Sequence, residues 1–249
     1  MKHGIVICDV SFYYQTNREA LSHIDLTIKP GLFVGISGSN GSGKTTLSYL
    51  INGLIPHSIP GRMSGAVFID NVDTKTKSVS FFSKSVGMVF QNPDFSLFNL
   101  TVGDEIAFGL KNLNGHADKK DIRESLNSVG LEGYEDRDPQ TLSFGEKQKV
   151  CLASVLALNV SYIILDEPTA MLDWQSSVSL YRLLHRLNES GKTIIVIEHD
   201  TDFLLTYASD ILLLDRGQIA SFGPTREVFA DRKKLRKLRI KAPNKIFYE

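Results

Sequence analysis

The sequence predicts an α/β fold with a nucleoside-triphosphatase core and a mainly parallel sheet. Residues 38–45 fit the phosphate-loop pattern G-x-x-x-x-G-K-[ST]. An apolar run at 32–36 precedes this loop, and an amphipathic stretch at 45–51 follows it, so a strand, a loop and a helix are expected in that order. Two nearly continuous apolar runs, 162–165 and 193–197, are typical of strands buried on both faces of a parallel sheet.

The N-terminal part of the chain predicts a small antiparallel β-layer. Apolar runs at 5–10 and 24–28 predict two strands, and the polar stretch 15–19 between them predicts a hairpin. The aromatic residues at 12–14 either stack on a nucleotide base or lie on the surface of the sheet. Residues 56–65 include two prolines and two glycines, which predicts a connection.

A helical period replaces the strand pattern between residues 101 and 158. Because strand-like runs at 86–90 and 162–165 flank this region, we expect a helical subdomain, at about residues 92–160, inserted between strands of the core. The helices predicted within it are 102–110, 119–129 and 146–158. The other predicted elements are strands at 66–70, 211–214 and 218–221 and a helix at 176–188.

Composition limits the classes of function. The chain of 249 residues has a formal net charge of zero, which offers no electrostatic case for a nucleic-acid partner. No stretch approaches the ~20 apolar residues of a membrane helix, so a membrane role is expected to be peripheral. Cys8 and Cys151 lie far apart and indicate a reducing compartment rather than a metal site. We expect one domain at 1–230, followed by a basic tail at 231–249. The tail predicts an electrostatic contact, with a lipid surface or with an acidic partner. The alternative is that its charges form the solvated face of a helix.

The side chains around the loop are those that triphosphate chemistry needs. Glycines let backbone N–H groups turn toward phosphates, Lys44 can reach the outer phosphates, and the Thr45 hydroxyl can ligate Mg²⁺. The run at 162–165 ends in Asp166 and Glu167. The first carboxylate can hold Mg²⁺ through water, and the second can activate the attacking water. Two surface acids at a turn are the alternative.

At these positions the chain resembles the ATP-binding-cassette (ABC) ATPases, over nearly its whole length. For ATP binding the resemblance implies Tyr14 as the adenine-stacking aromatic, followed by Gly38, Ser39, Asn40, Gly41, Ser42, Gly43, Lys44, Thr45 and Thr46. The catalytic residues that it implies are Lys44, Gln91, Glu167 and His199, and the Mg²⁺ ligands, partly through water, are Thr45, Gln91 and Asp166. For a lone strand-end histidine such as His199, a structural or solvated role is the alternative.

The same resemblance implies a second ATPase subunit. Ser143 and Gly145 occupy the signature segment that meets the partner's nucleotide, and Asp173 occupies the D-loop. Two such subunits are expected to sandwich two ATP molecules. The signature reads Leu-Ser-Phe-Gly-Glu where the family usually has L-S-G-G-Q. We therefore hypothesise that Phe144 and Glu146 impair the signature donated to the partner, which favours a heterodimer. The alternative is that both side chains point away from the nucleotide.

Four phrases are similar to the ATPases of energy-coupling-factor (ECF) transporters: 52–57, 89–94, 106–110 and 167–173. This resemblance implies a peripheral subunit at the cytoplasmic face of the cell membrane that powers import of a vitamin or a transition-metal ion. Its expected partners are a non-identical second ATPase subunit, a transmembrane coupling protein and a membrane substrate-binding subunit. Residues 94–100 either form the docking edge for the membrane partner or pack in the core. A conventional ABC transporter ATPase, a soluble ABC protein acting on DNA or the ribosome, and a small-molecule kinase are the alternatives.

Overall fold

A computed structural model describes residues 4–16 and 18–244. The described residues form eleven strands and ten α-helices. In chain order they are β1 (Ile5–Tyr14), β2 (Glu19–Ile28), β3 (Phe33–Gly38), α1 (Lys44–Ile51), α2 (Leu54–His57), β4 (Gly61–Met63), β5 (Ala66–Ile69), β6 (Val72–Asp73), α3 (Val79–Phe82), β7 (Val86–Val89), α4 (Val102–Asn114), α5 (Lys119–Ser128), α6 (Phe144–Ala157), β8 (Tyr162–Asp166), α7 (Trp174–Glu189), β9 (Thr193–Ile197), α8 (Thr201–Tyr207), β10 (Asp210–Asp215), β11 (Gln218–Pro224), α9 (Thr225–Ala230) and α10 (Arg232–Lys237).

The central sheet has six strands in the order β11-β10-β3-β9-β8-β7. Every neighbouring pair is parallel except β10 and β11, which are antiparallel. Strands β3, β8 and β9 are buried along their whole length, as their continuous apolar sequences require. The predicted α/β fold with a mainly parallel sheet is therefore confirmed.

The second sheet is antiparallel, with the order β2-β1-β5-β6 and β4 paired to β1. Strand β1 extends to Tyr14, beyond the strand predicted at 5–10, because its last residues pair with both β2 and β4. Asn17, within the predicted hairpin at 15–19, lies outside the described residues. The prediction of a plain connection at 56–65 was wrong in part, since β4 lies inside it. A Cβ on Gly61 would stand 2.4 Å from the Phe12 ring, so glycine allows this strand to approach β1.

The helices α4, α5 and α6 lie between β7 and β8 in the chain, where the sequence predicts helices. Helix α4 begins after Thr101, whose side chain accepts a hydrogen bond from the backbone of Asp104, and it ends at Gly115 in the left-handed conformation. The buried side chains Ile106 and Leu126 belong to one apolar core shared by these helices. That shared core fixes the position of the loops at both ends of α4 and α6.

The C-terminal part holds helices that the sequence pattern did not indicate, α8 and α9. Both are short, and both pack against the central sheet through buried residues such as Phe203 and Val228. Helix α7 begins at Trp174 rather than at 176, because the Asp173 side chain caps it. Among the residues described, no helix has the length and apolar character needed to cross a membrane.

Candidate nucleotide site

The phosphate loop joins β3 to α1, and two of its glycines are required by their surroundings. A Cβ on Gly38 would lie 2.2 Å from the Leu214 carbonyl oxygen. Gly43 has a φ of 106°, and a Cβ there would lie 2.6 Å from the Ala20 carbonyl oxygen. Lys44 Nζ crosses the loop and donates hydrogen bonds to the carbonyl oxygens of Gly38 (3.0 Å) and Ser39 (3.1 Å). The loop is thus closed around its own lysine, with its backbone amides available at the start of α1.

The nucleotide cavity is an open space of about 380 Å³ beside this loop. Tyr14 forms part of its wall, with its hydroxyl 2.9 Å from Thr46 Oγ1 and its ring edge-on to Phe12. Arg18, which the sequence analysis did not single out, lies on the same wall. The sequence feature that could have identified Arg18 is a cationic residue in the predicted hairpin, shortly after the aromatic residues at 12–14. The residues lining this cavity are Tyr14, Arg18, Ala20, Asn40, Gly41, Gly43, Lys44, Thr45, Thr46 and Glu167.

Thr45 and Asp166 meet although 121 residues separate them. Thr45 Oγ1 donates to Asp166 Oδ2 at 3.0 Å. Asp166 is only 6% exposed, and this burial raises the pKa of its carboxyl group, while the Thr45 hydrogen bond acts in the opposite direction. A hydroxyl and a carboxylate at the mouth of a phosphate loop are oxygen ligands of the kind that Mg²⁺ uses together with phosphate oxygens. These two side chains therefore fit a magnesium ion.

Glu167 is held between Gln91 and His199. Its Oε2 accepts a hydrogen bond from Gln91 Nε2 at 2.6 Å, and its Oε1 lies 3.1 Å from His199 Nε2. The three residues follow the carboxyl ends of β7, β8 and β9, which are neighbours in the parallel sheet. Glu167 also has a φ of 48°, a left-handed conformation that costs a non-glycine residue about 1–3 kcal/mol and is concentrated at functional sites. The structure thus brings these predicted site residues together.

Lys44 is the cation inside this group of acids. Lys44 is only 6% exposed, and this burial lowers its pKa. The nearby charges of Glu167 and Asp166 raise the pKa of Lys44. The carboxylates of Glu167 and Asp166 thus favour the charged form of Lys44, against the effect of burial.

Glu198 is a further residue whose position the sequence did not reveal. It is 4% exposed, and its Oε2 accepts a hydrogen bond from Thr169 Oγ1 at 2.5 Å. Its Oε1 accepts hydrogen bonds from the backbone N–H groups of His199 (2.7 Å) and Asp200 (3.2 Å). Burial raises the pKa of Glu198, and these hydrogen bonds oppose the shift. Glu198 therefore links the loop at His199 to the segment after Glu167. An acidic residue at the end of a buried strand was the sequence signal that could have identified Glu198.

Ser143, Gly145 and Asp173 do not line this nucleotide cavity. Ser143 and Gly145 border a separate cavity of about 100 Å³ between α6 and α7. Asp173 caps α7, with its carboxylate oxygens accepting from the Ser176 backbone and hydroxyl, both at 2.8 Å, and these bonds lower the pKa of Asp173. Ser143 and Asp173 are thus engaged at the starts of α6 and α7.

The signature departs from expectation at Glu146, whose carboxylate turns back on its own helix. Its Oε2 accepts hydrogen bonds from the Ser143 backbone N–H (2.8 Å) and hydroxyl (2.7 Å), and its Oε1 accepts one from the Tyr134 hydroxyl (2.7 Å). These contacts form a capping box at the start of α6 and lower the pKa of Glu146. The Glu146 carboxylate is therefore engaged by groups of its own chain. Phe144 is half-buried beside it.

Comparisons with known proteins agree on one family. The model of the family described as "ABC transporter" matches residues 21–170. An ABC transporter ATP-binding protein of Pyrococcus horikoshii is 44% identical over 97% of this chain and 87% of its own length. The energy-coupling factor transporter ATP-binding protein EcfA2 of Methanospirillum hungatei is 37% identical over 98% of this chain and 61% of its own length.

Solved structures give the same result. The cbiO1 protein of Clostridium perfringens, part of the ABC transporter complex cbiONQ, has a TM-score of 0.81 and 31% identity, covering 97% of this chain and 96% of its own. The ATP-binding cassette MJ0796, in a dimeric post-hydrolysis state with ADP and Pi, has a TM-score of 0.78 and 29% identity, covering 89% of this chain and 99% of its own.

Proposed function

This chain belongs to the ABC transporter family as an ATP-binding, ATP-hydrolysing subunit, and we propose that it powers an importer of the ECF type for a vitamin or a transition-metal ion. The hydrolytic role is supported above all by one observation, the convergence of Gln91 and His199 on the Glu167 carboxylate. The ECF assignment is supported by the resemblance at four phrases and by the similarity to EcfA2 and cbiO1.

Each residue at the strand tips has a proposed role. Glu167 accepts the proton of the attacking water as general base, and Gln91 and His199 orient its carboxylate. Lys44 releases its bonds to its own loop and donates to the outer phosphates. Thr45, Gln91 and Asp166 would hold a magnesium ion, partly through water, and such an ion would neutralise charge at those phosphates.

We propose that a second ATPase subunit, not identical to this one, completes the site. The separation of Ser143 and Gly145 from this chain's own nucleotide cavity supports their service to a partner's nucleotide. Asp173, at the start of α7, is proposed to contact the partner in the same way. The bound pair is expected at the cytoplasmic face of the cell membrane.

An exposed apolar groove supports the proposed contact with the transmembrane coupling protein. The groove holds about 200 Å³ and includes Phe98 and Phe108, whose rings meet edge-on at 5.0 Å. Phe98 is 65% exposed, although Leu97 beside it is buried, so the predicted edge at 94–100 divides between surface and core. Clustered exposed apolar side chains of this kind mark binding surfaces.

The loop that carries Phe98 is held in place by a buried acid. Glu105 is 6% exposed, and it accepts hydrogen bonds from the backbone N–H groups of Phe98 and Asn99 and from the Asn99 side chain (3.0 Å). Because the loop is tied to α4, a displacement of the groove would also displace the helices at 92–160. We propose these helices as the helical subdomain of a domain at 1–230. The basic tail is proposed at 231–249.

The test replaces Phe98 with aspartate. Phe98→Asp is expected to abolish copurification with the membrane partners while leaving the ATP dissociation constant within about twofold, since Phe98 does not line the nucleotide cavity. Phe81→Asp is the matched control, because Phe81 is also exposed (45%) but lies outside the groove. Loss of ATP binding in Phe98→Asp would assign this residue to the core instead. Identification of the proteins that copurify from host membranes separates an ECF importer from a conventional ABC transporter.

A further inference from the structure

We propose that a second cavity beside the phosphate loop binds orthophosphate as it leaves the nucleotide site, and that Arg239 is the residue that holds it. The cavity has a volume of about 400 Å³. One wall is the first half of the phosphate loop with His199, and the other wall is the C-terminal segment 239–241. The inference rests on the proposed function only in that ATP hydrolysis supplies the orthophosphate.

The C-terminal segment is anchored against the site. Leu235, Leu238 and Ile240 are buried in the core of the central sheet. Asp202, in the first turn of α8, accepts hydrogen bonds from Lys241 Nζ at 3.2 Å and from the Asn244 backbone N–H at 2.6 Å. The solvated helix face that the sequence offered for the tail therefore describes only part of it. Beyond α10 the chain returns to the loop that follows His199. Lys245, the last basic residue of the predicted tail, lies outside the described residues.

Arg239 occupies a backbone position that favours glycine. Its φ is 58°, and it directly follows the end of α10, where its N–H donates to the Arg236 carbonyl and the Ile240 N–H donates to the Leu235 carbonyl. This is the hydrogen-bonding pattern of a helix end that usually carries glycine in the left-handed conformation. Arginine here is less stable than glycine would be. The exposed side chain of Arg239 lines the cavity.

The charges around the cavity favour an oxyanion. Arg239 and Lys241 are the cations of the C-terminal wall, and Asp202 offsets Lys241 through their ion pair. Within the described residues no ion pair engages the Arg239 guanidinium, which lines the cavity. A planar guanidinium matches two oxygens of a tetrahedral phosphate, and Ser39 on the opposite wall adds a hydroxyl donor.

The two cavities adjoin at the phosphate loop. Asn40 lines both the nucleotide cavity and the cavity beside Arg239. His199, which contacts Glu167, also lines the second cavity. Orthophosphate formed next to Glu167 therefore has a short route past Asn40 to the guanidinium, away from the ADP that remains.

The experiment measures orthophosphate binding to the full chain by calorimetry in the presence of saturating Mg·ADP. Arg239→Asn and Arg239→Gly both suit a left-handed backbone and remove the charge, and each is expected to weaken orthophosphate binding about tenfold. Arg239→Lys is expected to restore part of the affinity. Arg232→Asn, at another basic position of the tail that does not line the cavity, is the matched control and is expected to stay within about twofold of the wild type.

Thermal unfolding checks that the variants fold, and Arg239→Gly is expected to unfold no earlier than the wild type. If Arg239→Asn and the wild type bind orthophosphate equally, or if the wild type does not bind it, the inference is wrong. A chain that fails to bind ADP at all would instead contradict the proposed function, so the two failures are distinguishable.

Discussion

Replacing Glu146 with glutamine tests whether the carboxylate at the signature is a structural cap. The glutamate accepts hydrogen bonds from the Ser143 backbone, the Ser143 hydroxyl and the Tyr134 hydroxyl, all between 2.7 and 2.8 Å. Glutamine keeps one oxygen for Ser143, but its amide nitrogen can only donate, so the bond to the Tyr134 hydroxyl must reverse its direction and the charge that strengthens all three bonds is lost. Capping interactions contribute about 0.5–2 kcal/mol, and because this side chain is partly exposed we expect a loss of about 1 kcal/mol for Glu146→Gln.

For a chain of this size, that loss corresponds to a fall in Tm of about 2–4 °C. The measurement is thermal unfolding of the isolated chain at pH 7, followed by circular dichroism. Glu124→Gln is the matched control: Glu124 forms only an exposed ion pair with Lys120 at 3.7 Å, and such pairs contribute little. Equal Tm values for Glu146→Gln and the wild type would refute the capping role.

The same substitution has a predictable pH dependence. The hydrogen bonds to Glu146 lower its pKa in the folded state below its ordinary value of 4.5. A carboxyl group whose folded pKa is depressed stabilises the protein above its unfolded pKa, and this stabilisation is lost as the pH falls through the folded value. The Tm difference between the wild type and Glu146→Gln should therefore be full at pH 7 and shrink below pH 4.5. A difference that is constant down to about pH 3.5 would mean that the charge of Glu146 does not stabilise the fold.

Three further predictions concern the nucleotide site. Glu167→Gln is expected to lower ATP turnover at least 100-fold while retaining ATP binding, measured by phosphate release and by nucleotide titration; unimpaired turnover would remove Glu167 from catalysis. Gly43→Ala is expected to weaken ATP binding at least tenfold, because its Cβ would lie 2.6 Å from the Ala20 carbonyl at a φ of 106°, and an unchanged dissociation constant would contradict this. Trp174 is the chain's single tryptophan and is 53% exposed beside the D-loop, so ATP-driven dimerisation should shift its emission to shorter wavelength, whereas a spectrum unaffected by dimerisation would exclude it from the interface.

The residues at the centre of the site could be predicted because each belongs to a local sequence pattern, either the phosphate loop or a polar residue that follows an apolar strand. A phosphate loop is recognisable within eight residues, and Gln91, Glu167 and His199 each follow an apolar run. Since parallel strands end at the same edge of a sheet, residues at their tips must converge, whatever their distance along the chain. The strand order β7-β8-β9, which sets their contacts, agrees with that reasoning.

What the sequence did not reveal depends on contacts between distant segments. Strand β4 has three residues and exists through its pairing with β1. Helix α8 has seven residues, too few for a clear helical period, and its stability comes from packing. The hydrogen bond between Glu198 and Thr169 and the return of Arg239 to the phosphate loop likewise join segments that no local pattern relates.

The geometry of Glu146 gives the proposed asymmetry a physical basis that differs from simple charge repulsion. In the resting chain, the Ser143 hydroxyl donates its proton to Glu146 at 2.7 Å, so it must give up that bond before it can donate to a partner's phosphate. The residual charge would add a repulsion of about 2 kcal/mol at ~8 Å and an effective dielectric near 20. Glu146→Gln removes the charge and weakens the bond from the Ser143 hydroxyl, because an amide oxygen is a weaker acceptor than a carboxylate. It should therefore act in opposite directions: a lower Tm for this chain, but faster ATP turnover when it is mixed with the second ATPase subunit. If turnover of the mixture falls together with the Tm, the cap is needed for the signature to function, and the weak half of the dimer must be sought at Phe144 or in the partner.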